Sequence, residues 1–212
     1  MEIIVENVTK NIGKNEIIKT ANLKFESGNI IGFIGRNGSG KSVFQKLLCG
    51  FYTPTTGRIL VDGKDINSPK YYPKEIRVLI EKPSFYPDLT GQENLELLAG
   101  ITNKISKKEI IAALEIVNLI SEKDKKYSKY SLGMKQKLGV AQAIMEDTSI
   151  IILDEPFNGI ENESVKKISE YLKKIKKDKI IIISTHIKED IENLCDVVYE
   201  FDNGYINEKN CI

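Results

Sequence analysis

Residues 35–42 read Gly35-Arg36-Asn37-Gly38-Ser39-Gly40-Lys41-Ser42, the spacing G-x-x-x-x-G-K-S, directly after the apolar run Ile30, Ile31, Phe33, Ile34. The run reads as a buried strand and the residues from Val43 onward as a helix. Glycines let the backbone curl until successive N–H groups converge on an anion, and the helix adds the positive end of its dipole. Residues 35–43 are therefore expected to cradle phosphates, with Lys41 reaching the β- and γ-phosphates of a nucleotide and Ser42 holding Mg²⁺. A glycine-rich turn without a ligand is the plainer alternative, and the flanking strand and helix signals weigh against it.

A second candidate is the run Ile150-Ile151-Ile152-Leu153-Asp154-Glu155-Pro156, an aliphatic strand that ends in two carboxylates. Buried carboxylates are costly unless a metal or hydrogen bonds compensate them. Beside a phosphate loop they make chemical sense: Asp154 holds Mg²⁺ through water, and Glu155 orients or deprotonates the attacking water. A strand-terminal acidic turn is the alternative. His186, the single histidine, follows a third aliphatic strand through Ser184 and Thr185. A lone histidine is usually structural, but at that strand end an imidazole could also sense a γ-phosphate and orient the water.

These groups need a sheet to carry them. Short β-branched runs at 2–5, 30–34, 76–80, 150–153, 180–183 and 197–201 alternate with longer helical patterns, the signature of an α/β fold with a mostly parallel sheet. The Asp62-Gly63 and Asn203-Gly204 dipeptides predict hairpins at its edges. From 88 to 148 the strand signal vanishes. Thr90 and Ser106, each followed three residues later by glutamate, predict capped helix starts, and Ile110, Leu114 and Val117 recur at helical spacing. The stretch 161–177 alternates charge with Val165, Ile168, Leu172 and Ile175, which predicts a helix packed on the sheet with a solvated basic face.

A chain of 212 residues can bury about 70% of its unfolded surface, enough for one sizeable core. Thirty-one basic and thirty acidic residues leave a net charge of +1, so no global field recruits nucleic acid or an anionic membrane. Cys49, Cys195 and Cys211 are odd in number and widely spaced, which argues against a disulfide framework or a zinc site. The start MEIIVENVTKN lacks a long apolar segment and no aliphatic run could span a bilayer. A cytoplasmic protein is expected.

Together these residues resemble the ATP-binding subunit of an ABC transporter, and the resemblance covers essentially the whole chain. The family's signature, ideally L-S-G-G-Q, falls on Tyr130-Ser131-Leu132-Gly133-Met134. The resemblance implies one domain over 1–212 with the fold of P-loop NTPases: a RecA-like α/β core at 1–87 and 149–212, and an inserted helical subdomain at 88–148. It further implies that Ser131, Leu132, Gly133 and Met134 serve the nucleotide held by a second ATPase subunit, identical or closely related. Two Mg·ATP then lie at a head-to-tail interface. The implied partner is a separate integral-membrane permease, which places the chain on the cytoplasmic face of the membrane. Nucleic acid is not an expected partner.

Several positions depart from the family pattern. Glu81 stands where a glutamine usually contacts Mg²⁺, and as a carboxylate it can still ligate the metal while adding charge near the phosphates. Leu132 and Met134 replace a glycine and a glutamine, Glu161 stands at an aspartate, and near Ile12 there is no aromatic to stack on a base. The runs IEKPSFYPDLTGQENL and YSLGMKQKLGVAQAI resemble the branch associated with bacitracin and lantibiotic export or immunity, although the chain is short for that branch. Pro83, Phe85, Tyr86 and Pro87, with Tyr71 and Tyr72 before them, suit the docking of a permease helix or ordinary packing equally. Two rival functions fit less well: a clamp acting on ribosomes or damaged DNA, and a small-molecule kinase. The first usually needs a doubled ATPase or a coiled-coil insertion, and the second needs lid arginines.

Overall fold

The computed structural model describes residues 1–68, 76–187, 189–192 and 194–209. Tyr71, Tyr72 and Cys211 lie outside the described residues. A six-stranded sheet runs in the order β10-β9-β3-β8-β7-β6, built from β3 (Ile30–Ile34), β6 (Ile76–Leu79), β7 (Ile150–Asp154), β8 (Ile180–Thr185), β9 (Val197–Asp202) and β10 (Tyr205–Lys209). All neighbours in it are parallel except the β9–β10 hairpin, which turns at Asn203-Gly204 as its sequence predicts. Every residue of β3, β7 and β8 is buried, and this explains their unbroken aliphatic character: a parallel strand covered on both faces has no solvent side to make polar. Along β7 and β8 alternate isoleucines serve two cores, with Ile151 and Ile181 facing one side and Ile150, Ile152, Ile180 and Ile182 the other.

The second core lies beneath a four-stranded antiparallel sheet, β2-β1-β4-β5, made of β1 (Glu2–Ile12), β2 (Asn15–Glu26), β4 (Thr56–Val61) and β5 (Lys64–Asp65). β4 and β5 form the hairpin expected at Asp62-Gly63. β2 carries no continuous apolar run, and only Ile18, Ala21 and Phe25 are buried along it. An edge strand with one wet face needs few apolar residues. Phe33 of β3 anchors this layer, 5.8 Å from Phe44 and 5.0 Å from Phe201 between ring centroids, and so fixes the helix after β3, α1 (Lys41–Leu48), against the sheet.

Between β6 and β7 the principal elements are the helices α2 (Gly91–Thr102), α3 (Lys107–Ile116) and α4 (Leu132–Ile144), and no strand occurs among the described residues. Both expected capping boxes form: Thr90 Oγ1 accepts from the Glu93 amide at 3.2 Å while Glu93 accepts from the Thr90 amide at 2.7 Å, and Ser106 and Glu109 repeat the arrangement. Helix α5 (Asn162–Ile175) buries Ile168 and Leu172 and leaves its lysines in solvent, as expected of a solvated face.

One buried ion pair ties the helices to the sheet. Glu146, just past α4 and only 4% exposed, is bound by Arg77 of β6 and accepts from Thr102 Oγ1 at the end of α2 at 3.0 Å. Removing the carboxylate strands the guanidinium in a low-dielectric site. Glu146→Ala should therefore cost about 3 kcal/mol in urea unfolding, and an unchanged midpoint and slope would show that the pair does not hold these layers together.

Candidate active site

Three strands of the parallel sheet deliver their carboxyl ends to one place. β3 runs into Gly35, β7 ends at Asp154 and β8 ends at Thr185, with Asp154 opposite Ser184 and Ile34 opposite Thr185 in register. After β3 the chain must turn sharply. At Gly35 (φ +154°) a Cβ would fall 2.5 Å from the Phe201 carbonyl oxygen and 2.7 Å from Ser39 Oγ, so only glycine fits. Gly40, in the left-handed region at φ +108°, caps α1 without offering a side chain. The first-turn N–H groups of α1 are thus left for something other than a side-chain cap, and Ser39 Oγ is buried with no partner among the described residues.

Lys41 is buried to 6% exposure, and its ammonium donates to the carbonyls of Gly35 at 2.7 Å and Arg36 at 3.2 Å. Burial pulls its pKa below the usual lysine range, an effect that Glu155 and then Asp154 partly oppose. Arg36, Asn37 and Gly38 are exposed along the rim of the loop, and Val43 packs its side chain into the core. A desolvated cation held only by carbonyls, beside uncapped helix amides, fits a phosphate chain.

The carboxylates are positioned by hydroxyls. Ser42 Oγ donates to Asp154 Oδ2 at 2.7 Å, and Ser184 Oγ binds the other oxygen. Asp154 is buried, so both contacts offset the cost of its desolvation. Ser42 and Asp154 form an all-oxygen donor pair, the chemistry of a hard cation such as Mg²⁺. Glu155 leaves the strand with left-handed backbone (φ +48°), its amide donating to Ser184 O at 2.9 Å and its carbonyl accepting from Gln136 Nε2 of α4 at 2.9 Å. Its carboxylate lies 3.0 Å from His186 Nδ1, at the mouth of the site, where the imidazole is exposed. Ser184 and Gln136 were not singled out from the sequence, because a serine inside an aliphatic strand and a glutamine on a helix carry no signal until the register is known.

The other expected residues stand apart. Glu81, also left-handed (φ +65°), is bound by Lys46 of α1. Ser131 caps α4, accepting from the Met134 amide at 3.2 Å, and no hydrogen bond joins it to the 35–42 loop among the described residues. Gly133 faces the turn after β7, where a Cβ would fall 2.3 Å from Gly159 O, while Leu132 is 69% exposed and Met134 packs on the helical core. Glu161, before α5, is bound by Lys137 and accepts from Ser164 Oγ at 2.6 Å, which lowers its pKa to about 2. Ile12 is exposed at the end of β1.

A family model described as "ABC transporter" matches residues 18–158. The chain belongs to the ABC transporter family. As an ABC ATP-binding subunit it is 39% identical over 99% of its length to a bacitracin transport ATP-binding protein of Enterococcus faecalis, covering 70% of that relative. It is 30% identical to a lantibiotic transport ATP-binding protein of Streptococcus pyogenes, over 98% of this chain and 88% of the relative. Among solved structures, an ATP-binding subunit of an ABC transporter superposes with a TM-score of 0.87 at 26% identity, over 99% of this chain and 90% of that one. A dimeric bacterial ABC transporter cassette superposes at 0.90 over 99% of both chains, at 23% identity, a likeness of fold. Among the described residues, no helix is long and apolar enough to cross a membrane.

Replacing Lys41 tests the cradle directly. Lys41→Ala should weaken ATP binding about 100-fold or more, given the usual worth of charge-assisted hydrogen bonds, and unchanged affinity by calorimetry would contradict the assigned role.

Proposed function

We propose that this chain powers an exporter: two copies, or this chain and a closely related one, close head-to-tail on two Mg·ATP at the cytoplasmic face of a separate integral-membrane permease. The observation that carries this reading is the meeting of Lys41, the Ser42–Asp154 pair and the Glu155–His186 pair at neighbouring strand ends, where parallel sheets bind their ligands. The core is assigned to 1–87 and 149–212, and the helical subdomain to 88–148. The names of the bacitracin and lantibiotic relatives favour an antimicrobial peptide or antibiotic as cargo.

The backbone amides of 35–43 and Lys41 bind the triphosphate, Lys41 exchanging loop carbonyls for phosphate oxygens. Ser42, Asp154 and Glu81 are the assigned metal ligands, and bound Mg²⁺ would neutralise charge on the β- and γ-phosphate oxygens. Glu155 orients and deprotonates the attacking water. His186, in contact with both Glu155 oxygens, holds that carboxylate in place and hydrogen-bonds the γ-phosphate. Ser131 and the Gly133 amide, at the N-terminus of α4 with Leu132 and Met134, close on the partner's nucleotide. Loss of the γ-phosphate removes the bridge between the two halves, so ATP biases a closed–open equilibrium through contacts it makes in one state only.

The permease docks beside α2. Phe85 is spent on packing, 5.3 Å from Tyr127 between ring centroids, but Tyr86 and Leu97 remain exposed around a cavity of about 390 Å³. A short amphipathic helix fits such a groove.

Glu155→Gln keeps the shape of the site and removes the base. It should lower ATP turnover roughly 10²- to 10⁴-fold while retaining nucleotide binding, and light scattering in Mg·ATP should show the mass of a pair. Near-normal turnover would remove Glu155 from its role, and single molecules at saturating nucleotide would remove the paired engine.

A further inference from the structure

Helix α1 places Lys46 one turn beyond Ser42, on the same helical face. Its ammonium binds Glu81 Oε1 and lies 5.4 Å from the centroid of the Tyr52 ring. Tyr52 is flanked in turn by Lys10, 5.2 Å from the ring centroid, whose ammonium donates to Thr53 O at 2.7 Å. Lys46 is mostly buried, so the aromatic face and the surrounding chain fix where its charge can go. Glu81 approaches from a backbone conformation that a glutamate adopts only against steric resistance. Among the described residues the strained turn is tied to α1 by a charged contact, that of Glu81 with Lys46. The hydrogen bond to Glu81 and, more weakly, the field of Asp154 favour the charged ammonium, so Lys46 feels both Glu81 and the carboxylate that Ser42 binds.

A carboxylate beside a triphosphate site is an electrostatic burden unless a cation balances it. We propose that Lys46, one helical turn from Ser42, is a positioning residue that neutralises Glu81 and holds it against α1, so that the site accepts a triphosphate despite the extra acid. The inference rests on the nucleotide reading of Lys41 and Ser42 and adds a role for a lysine outside the cradle.

The test is a double-mutant cycle on the full chain, read as affinity for a non-hydrolysable ATP analogue with Mg²⁺ by calorimetry. Lys46→Met should weaken binding about tenfold, because Glu81 then keeps its charge without the cation that balances it. The same substitution in a Glu81→Gln background should cost less than about threefold, and Lys46→Arg, which keeps the charge, should bind within about threefold of the wild type. Equal losses in both backgrounds, or a loss in Lys46→Arg as large as in Lys46→Met, would overturn the inference alone, because Lys46 would then act on the nucleotide or the fold without Glu81. If Lys46→Met does not fold, Lys46→Gln takes its place in the cycle with the same two outcomes. Absence of binding by the wild-type chain would overturn the proposed function together with this inference.

Discussion

A carboxylate buried at the end of an aliphatic strand is the constraint on which this molecule turns. Asp154 is taken out of water by the same strand packing that builds the core, and it is tolerable there because Ser42 and Ser184 each engage one of its oxygens. Those two hydroxyls come from α1 and β8, so a single side chain on β7 fixes helix α1 against both central strands. Moving any of the three elements by an ångström would leave a buried charge without its donors. The site's geometry and the stability of the sheet's carboxyl edge are therefore one problem with one solution.

Among the described residues the two left-handed glutamates both lie at this edge. Gly35 after β3, Glu81 two residues after β6 and Glu155 after β7 all have positive φ. Glycine bears this freely, whereas a glutamate costs of order 1 kcal/mol or more in such a conformation and persists only where its surroundings hold it. For Glu155 the holders are the Ser184 carbonyl, Gln136 and His186, and for Glu81 the holder is Lys46. The turns after β6 and β7 thus aim acidic side chains that a relaxed strand exit would send elsewhere.

Much of this was legible in the sequence because burial on two faces leaves no ambiguity: the runs in β3, β7 and β8 could not be surface helices of that length, and the loop spacing at 35–42 needs a strand before it and a helix after it. β2 was not legible, since three buried residues among twelve give neither a run nor a clean alternation. The loop and the two carboxylates were readable because each follows a strand in sequence. Ser184, Gln136 and Lys46 were not, because their contacts depend on register and on the packing of α4 and α1, which no local pattern encodes. His186 illustrates the boundary: its type and position were readable, its choice of Glu155 was not.

The departures in the signature follow the same physics. At Leu132 the side chain is largely exposed, and at Met134 it is partly buried against the helical core, so neither position requires the residue usually found there. Gly133 has no such latitude, because any Cβ would fall 2.3 Å from the Gly159 carbonyl, and the turn carrying Gly159 leads from Glu155 into α5. Ser131 is held by its role as the cap of α4. The two positions retained are thus the two that the chain's own packing already demands, quite apart from a nucleotide across an interface. Because Gly133 touches the turn downstream of Glu155 and Gln136 holds the Glu155 carbonyl, the N-terminus of α4 and the carboxylate edge of the sheet are mechanically continuous within one chain. In the paired arrangement proposed above, a nucleotide pressed onto Ser131 would push on the same backbone that orients Glu155, a physical route by which one site would sense the other.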